Sequence, residues 1–462
     1  MKLPVYHFEG HIEVEKGQGF YRGYLHFPFN VPEGVGAIHL SLRYSPVRVG
    51  ELDNLITPGL YDPAGFRGEA HRHPANEDLA VGVDRASPGF VAGKIGAGVW
   101  VAQLTVHTVV EDATPCHYTL DISLEAGRPG AGVATYYPPA PARLNDRPGW
   151  YGGELHSHTF HSDGALPPAE LVAQARQQGL DFLAITDHNT NAALGEIDPA
   201  SLGPMLLIPG MELTTLYGHA LVLGTRQWID WRTGYQGRTI DQAASEAHAA
   251  GALFIMAHPQ AVGSPICTGC HWEFSHFDLD LADAFEVWNG PWPDPYDQNI
   301  KGLHAWRELQ ATGRRLPATA GTDFHSLGNW NSASPRVWVY ARELSVAAVL
   351  DGIRQGRVIL SAGPKLAFQV LPDGAGTPGE VGDIVVAPSQ RATLSVSWDR
   401  VPQGNSLHLR NAEGLLLSTS LPASGSLQQL IQIHRQERVW VELYGENGFL
   451  IAMTNPIFIQ PG

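Results

Sequence analysis

Between residues 149 and 362 of this 462-residue chain, short apolar runs alternate with helical stretches, and His, Asp and Glu gather where the apolar runs end. Strand, helix, strand is the pattern of a parallel α/β domain, because parallel neighbours need a long crossover rather than a tight turn. Pro167 and Pro168 suit a helix start, Ala169 to Gln178 continue it, Gly179 caps it, and Asp181 to Thr186 form an apolar strand leading into Asp187 and His188. Thr239 caps a helix running to Ala250, Gly251 stops it, and the strand Leu253 to Ala257 leads into His258 and Pro259. Ala284 to Trp288 reads as another strand, Ile300 to Ala311 as a helix, and Ser345 as the cap of Val346 to Arg354. In a parallel α/β barrel the loops that follow the strands converge on one face, so clusters placed there meet.

The flanks read differently. Ala37 to Tyr44, Val99 to Val110 and His117 to Leu124 are β-rich runs between Gly/Pro turns, which predicts a β-sandwich over residues 1–148. Tyr137 to Ala142, rich in proline, is a stiff linker ahead of the central unit, 149–362. After it the helical periodicity stops, and Ala392 to Trp398, Ser406 to Arg410 and Val439 to Tyr444 predict strands of a smaller β-domain over 363–462.

The formal charge of −16, with no basic stretch to break it, disfavours long nucleic acid as a partner but allows a small anionic ester. The first residues run straight into Glu9, Glu13 and Glu15 without an apolar leader core, and no stretch approaches a membrane span. Three cysteines cannot build a disulfide framework, so the expected location is a reducing cytoplasm.

The central polar clusters carry the chemistry. In Glu154-Leu155-His156-Ser157-His158 the two imidazoles alternate onto one face of an extended segment and can grip one ion, and Asp163 reaches back from beyond a turn. Asp187-His188, Glu212, His219, His258 and Asp323-Phe324-His325 come next along the chain. One such histidine is ordinarily a packed core or surface residue. Six histidines besides carboxylates, in the order of successive strand ends, point instead to a cluster of divalent cations with mixed N and O donors that accepts Zn, Mn or Fe. Asp187 is expected to orient a ligand imidazole, and Arg336 and Lys301 are candidate positive charges for substrate. Cys267-Thr268-Gly269-Cys270-His271 has too few ligands for a structural zinc and the wrong setting for haem; it reads as a pocket loop with Trp272 as a packing face.

These clusters resemble the motifs of the PHP (polymerase and histidinol phosphatase) superfamily over Trp150 to Gly363. Glu286-Val287-Trp288-Asn289-Gly290 and the Cys267 to Cys270 segment are similar to its carbaryl-hydrolase-like (CehA/McbA) branch. The resemblance implies an α/β fold with a distorted seven-stranded (β/α) barrel, and two or three divalent ions. It implies one ion held by His156, His158, Glu212 and Asp323, and a second sharing Glu212 with His219 and His258. A third would take Asp163, His188 and His325. Glu212, Asp323, His325 and Asp187 would then serve catalysis, with a metal-bridging hydroxide as nucleophile and a phosphoester as substrate. A carbamate or carboxyl ester is the alternative implied by the nearer branch, and a non-catalytic glycan- or protein-binding scaffold is the reading from another class.

Overall fold

The computed structural model describes residues 3–71, 76–127, 138–374 and 376–462. It is a mixed α/β fold with many strands and few helices. Seven strands stand side by side in chain order: β1 (Gly149–Glu154), β2 (Phe182–Ile185), β3 (Leu206–Thr214), β4 (His219–Leu223), β5 (Leu253–Met256), β6 (Ala284–Asn289) and β7 (Ala318–Gly321). Just beyond β7, Phe324 makes a parallel bridge with Ser157, just beyond β1. Phe324 accepts from His158 N at 2.8 Å, so the last strand exit is tied back to the first.

The expected parallel order holds for the pairs β1–β2, β2–β3, β5–β6 and β6–β7. It fails around β4, which runs antiparallel to both neighbours. The reason is local: only residues 215–218 separate β3 from β4, too few for a crossover, and the Thr215 amide closes the turn on the Gly218 carbonyl. A reversed strand presents its first residue, His219, at the same end of the sheet as the last residues of its neighbours.

Helix α1 (Pro168–Gln177) starts on proline, where a missing N–H costs nothing. Helix α2 (Ile240–Ala249) starts on a reciprocal capping box between Thr239 and Gln242. Helix α3 (Gln298–Ala311) begins two residues before the expected Ile300, and Ser345 caps α4 (Val346–Arg354) through the Ala348 amide. Among the described residues no helix is long and apolar enough to cross a membrane.

Before the ring, two four-stranded antiparallel sheets enclose a core that includes Ile38, Leu40, Trp100 and Leu104. Of the linker, Tyr137 lies outside the described residues, and 138–142 form neither helix nor strand. Strand Arg336–Ala341 adds antiparallel to the outer edge of β1. Val358–Ser361 and then Leu450–Thr454 continue the same sheet, so hydrogen bonding runs on into the C-terminal strands, which pack around Val396, Leu407 and Val441.

Candidate metal centre

One end of the seven-stranded ring gathers the polar side chains. His156 and His158 leave β1, His188 leaves β2, Glu212 lies in β3, His219 opens β4, His258 follows β5, and Asp323 and His325 follow β7. Gly321 makes the close fit possible: a Cβ there would stand 2.3 Å from the His156 Cβ. Three of the non-glycine residues with positive φ belong here, namely Asn189, His258 and Asp323, at 57°, 29° and 48°. Such conformations are costly for side chains with a Cβ and persist where the surrounding contacts fix them.

Glu212 is at the centre, fully buried, with five imidazoles around it. Its Oε2 faces His156 Nε2 at 3.3 Å, His158 Nε2 at 3.4 Å and His188 Nδ1 at 3.0 Å. Its Oε1 faces His219 Nδ1 at 2.9 Å and His258 Nε2 at 3.0 Å. Asp323 Oδ1 lies 3.4 Å from His156 Nε2 and 3.0 Å from His158 Nε2. Asp163 Oδ1 lies 3.0 Å from His325 Nε2 and 3.4 Å from His188 Nε2. All nine sequence-derived ligand candidates therefore meet at one place. The grouping differs from the implied one in two respects: His188 leans on Glu212 as well as on Asp163, and His158 joins the set of Asp163, His188 and His325.

The outer contacts decide which nitrogen each ring offers. Cys270 O is 3.1 Å from His258 Nδ1, and Asp323 O is 2.7 Å from His325 Nδ1. A carbonyl only accepts, so both rings carry their proton on Nδ1 and keep the Nε2 lone pair for the centre. Glu286 imposes the same on His156, at 3.1 Å from Nδ1, while also accepting from the His258 and Asn289 N–H groups at 2.8 and 3.1 Å. Glu154 accepts from the amides of Leu155 and His156 at 2.9 and 2.8 Å and from that of Thr322 at 3.1 Å, holding the two strand exits together.

Asp187 does something other than expected. Its carboxylate accepts from the Thr159 amide and hydroxyl, both at 2.7 Å, and from Ser162 Oγ at 2.8 Å. It thus braces the loop that carries Asp163 and, among the described residues, bonds to hydroxyls and an amide rather than to an imidazole, because the chain turns at Thr159 and places hydroxyls in its reach. Arg336 donates to the Gln178 carbonyl and Lys301 to the Tyr296 carbonyl, so both serve local structure. His161 accepts from the Gly89 amide and faces Glu196, outside the cluster.

Cys267 and Cys270 are joined by a disulfide, a pairing the cysteine count did not anticipate. The loop they close lies against the centre. Gly269 has a φ of 76° and packs so tightly that a Cβ would stand 2.0 Å from the Thr215 carbonyl oxygen. Trp272 packs against Phe254, Phe274 and Phe277.

The electrostatics fit cation binding. Burial opposes the charged form of His188, but Glu212 and Asp163 outweigh it and push its pKa up to about 10. His325 goes up to about 9, since Asp163 and Asp323 outweigh its burial. His219 falls to about 4 because burial dominates over its bond to Glu212. Burial also works against ionised Glu212, Asp163 and Asp323, yet the surrounding imidazoles hold all three well below the ordinary carboxylate range. Carboxylates that stay ionised in a buried place need positive charge, which protons on His188 and His325 or bound cations can supply. Among the described residues, His156 Nε2, His158 Nε2, His219 Nε2, Glu212 Oε2 and Asp323 Oδ1 are buried and make no hydrogen bond, as atoms reserved for an ion would.

A second group was missed by sequence reasoning. Glu69, His71 and His107 of the N-terminal sheets reach the same place, with the His71 ring centroid 4.2 Å from that of His188. Asn189 Nδ2 donates to Glu69 Oε1 at 3.4 Å, and Thr190 Oγ1 donates to Gly89 O at 2.9 Å.

Residues 154–274 match the PHP domain. A 68-residue stretch is 46% identical to the 5'-3' exoribonuclease Rnm of Escherichia coli, covering 14% of this chain and 23% of that protein. The chain thus spans about a quarter of the length of that relative. An uncharacterized protein of Methanocaldococcus jannaschii is 29% identical over 170 residues, 34% of this chain and 92% of its own. Among solved structures, a two-domain Bacteroides vulgatus protein described as containing a predicted PHP-like metal-dependent phosphoesterase aligns with a TM-score of 0.41 at 17% identity, over 71% of this chain and 99% of that one.

Proposed function

We propose that this chain is a metal-dependent phosphoesterase acting on a small phosphomonoester or phosphodiester. The observation that carries the reading is Glu212, whose two oxygens are shared among five imidazoles with Asp163 and Asp323 at either side. One carboxylate shared by that many imidazoles suits two or three adjacent cations of the Mn, Zn or Fe kind rather than one. Held there, such ions would supply Lewis acidity toward an ester oxygen and an acidified water at neutral pH. The chain's own residues supply the rest. His156, His158, Glu212 and His219 form the inner wall, whereas the side chains of Asp323 and His325 are 24% and 33% exposed and mark the side from which substrate arrives. Glu286, Cys270 O and Asp323 O fix the tautomers, and Asp187 fixes the Asp163 loop.

The PHP match over 154–274 supports the class, and the Rnm stretch supports a phosphoester over a carbamate or carboxyl ester because that relative is named as a nuclease. The charge of −16 favours a short substrate over a long polynucleotide. We read the seven strands and the bridge between Ser157 and Phe324 as a distorted (β/α)7 barrel over 149–362, flanked by a β-sandwich over 1–148 and a small β-domain over 363–462.

The test is hydrolysis of p-nitrophenyl phosphate, bis-p-nitrophenyl phosphate and 1-naphthyl N-methylcarbamate by protein loaded with Mn or Zn, beside Asp323→Ala. Phosphate ester turnover that Asp323→Ala loses is expected. Carbamate turnover alone would move the assignment to the branch suggested by the Glu286 to Gly290 segment. Absence of all turnover with metal bound would favour a scaffold.

A further inference from the structure

We propose that Glu69, His71 and His107 form an additional divalent-cation site, on the wall that the N-terminal sheets present to the centre. Glu69 ends strand Gly65–Glu69, His71 lies two residues on, and His107 belongs to strand Gly98–Val110. One donor atom from each lies within 4.8 Å of the others, close enough for one ion to reach all three with small side-chain movement. All three are buried, at 0%, 1% and 2% exposure.

The charge balance points the same way. Among the described residues Glu69 has one ion-pair partner, His71 Nδ1 at 3.6 Å, and no Lys or Arg lies within ion-pair distance of it. A carboxylate fully withdrawn from water is costly unless a cation compensates it. One carboxylate with two imidazoles is a donor set that Zn, Mn and Fe accept, and three protein ligands leave room for a further one.

The surroundings are built as ligand supports. Thr105 Oγ1 donates to Glu69 Oε2 at 3.0 Å and is itself held by Gln103 Nε2 at 3.0 Å. Thr57 Oγ1 lies 2.9 Å from His107 Nε2 and fixes that ring. Outer-layer hydroxyls and amides of this kind orient metal-binding rings and carboxylates. The neighbourhood is functional in turn: the His71 ring lies against His188, so an ion here would stand beside the main cluster and add positive charge toward an anionic ester bound there. That last role rests on the phosphoesterase reading, whereas the site itself does not.

Crystals of the full chain loaded with Zn, measured on both sides of the zinc edge, test it. An anomalous peak between Glu69, His71 and His107 is expected, separate from peaks among His156, Glu212 and Asp163. No peak at Glu69 while the main cluster is occupied would overturn the inference and leave the proposed function intact. A peak at Glu69 with an empty main cluster would support the inference and sink the metal centre instead. In solution, Glu69→Gln with His71→Gln is expected to bind one ion per chain fewer than the parent by elemental analysis, and an unchanged count would refute the site.

Discussion

Replacing Glu286 by Gln changes one charge and almost no shape, and its effect on the metal centre can be worked from three contacts. One Glu286 oxygen accepts from His156 Nδ1 at 3.1 Å, and the other from the His258 amide at 2.8 Å and from Asn289 Nδ2 at 3.1 Å. A carboxamide has a single acceptor oxygen. If that oxygen serves His258 and Asn289, its NH2 faces His156 and drives the ring proton to Nε2, which removes the lone pair from the centre. If it serves His156, the NH2 opposes two N–H donors. Either arrangement weakens a ligand from outside, and changes of this type cost about 10- to 100-fold in metal affinity, roughly 1.4 to 2.8 kcal/mol. Competition of the protein with a chromophoric chelator for Zn or Mn measures it, with a thermal melt to show that the chain is still folded. Metal affinity within twofold of the parent would refute the idea that Glu286 sets the His156 tautomer.

Three more substitutions probe other parts of the molecule. Glu442 is fully buried between Arg307 and Arg410, at 2.5 and 2.6 Å, so Glu442→Gln leaves two guanidinium groups without their counter-charge and should destabilise by about 3 to 5 kcal/mol in urea unfolding. Thr239→Ala removes the cap of α2 and should cost about 1 kcal/mol by the same assay with metal binding unchanged. In metal-free protein burial pushes Glu69 from its ordinary 4.5 up to about 7, so between those values the folded state keeps a proton that the unfolded chain has released. Stability is then full below 4.5 and declines toward 7, by roughly 3 kcal/mol relative to Glu69→Gln, and a difference between the two proteins that stays flat with pH would contradict this.

The main centre was legible in the sequence because the order of the strands does the assembly. Once His156, His188, His258 and Asp323 are seen at the ends of successive strand-like runs, a common face is implied without knowing any distance. His219 was legible as a residue, but not as the start of a reversed strand, since the four-residue turn before it has no hairpin signature such as Asn-Gly. Glu286 was visible only as part of a family-like segment; a carboxylate inside the apolar run Ala284 to Asn289 is itself a signal that something polar waits on that face. Glu69 and His71 alternate onto one face just as His156 and His158 do, yet they lie 87 and 117 positions from His156 and His188, and only tertiary packing brings them beside His188. The partner of Asp187 was not legible, because which hydroxyl or ring it meets depends on the turn at Thr159.

The central claim is tested most directly by stripping the purified chain with a chelator, confirming by elemental analysis that no divalent metal is left, and restoring Mn stepwise while following bis-p-nitrophenyl phosphate hydrolysis. Turnover that is absent in the stripped protein, rises with the ions bound per chain and fails to return in His156→Ala with His158→Ala is the expected result. Equal turnover before and after stripping, or full ion binding with no hydrolysis of any phosphate ester, would contradict it.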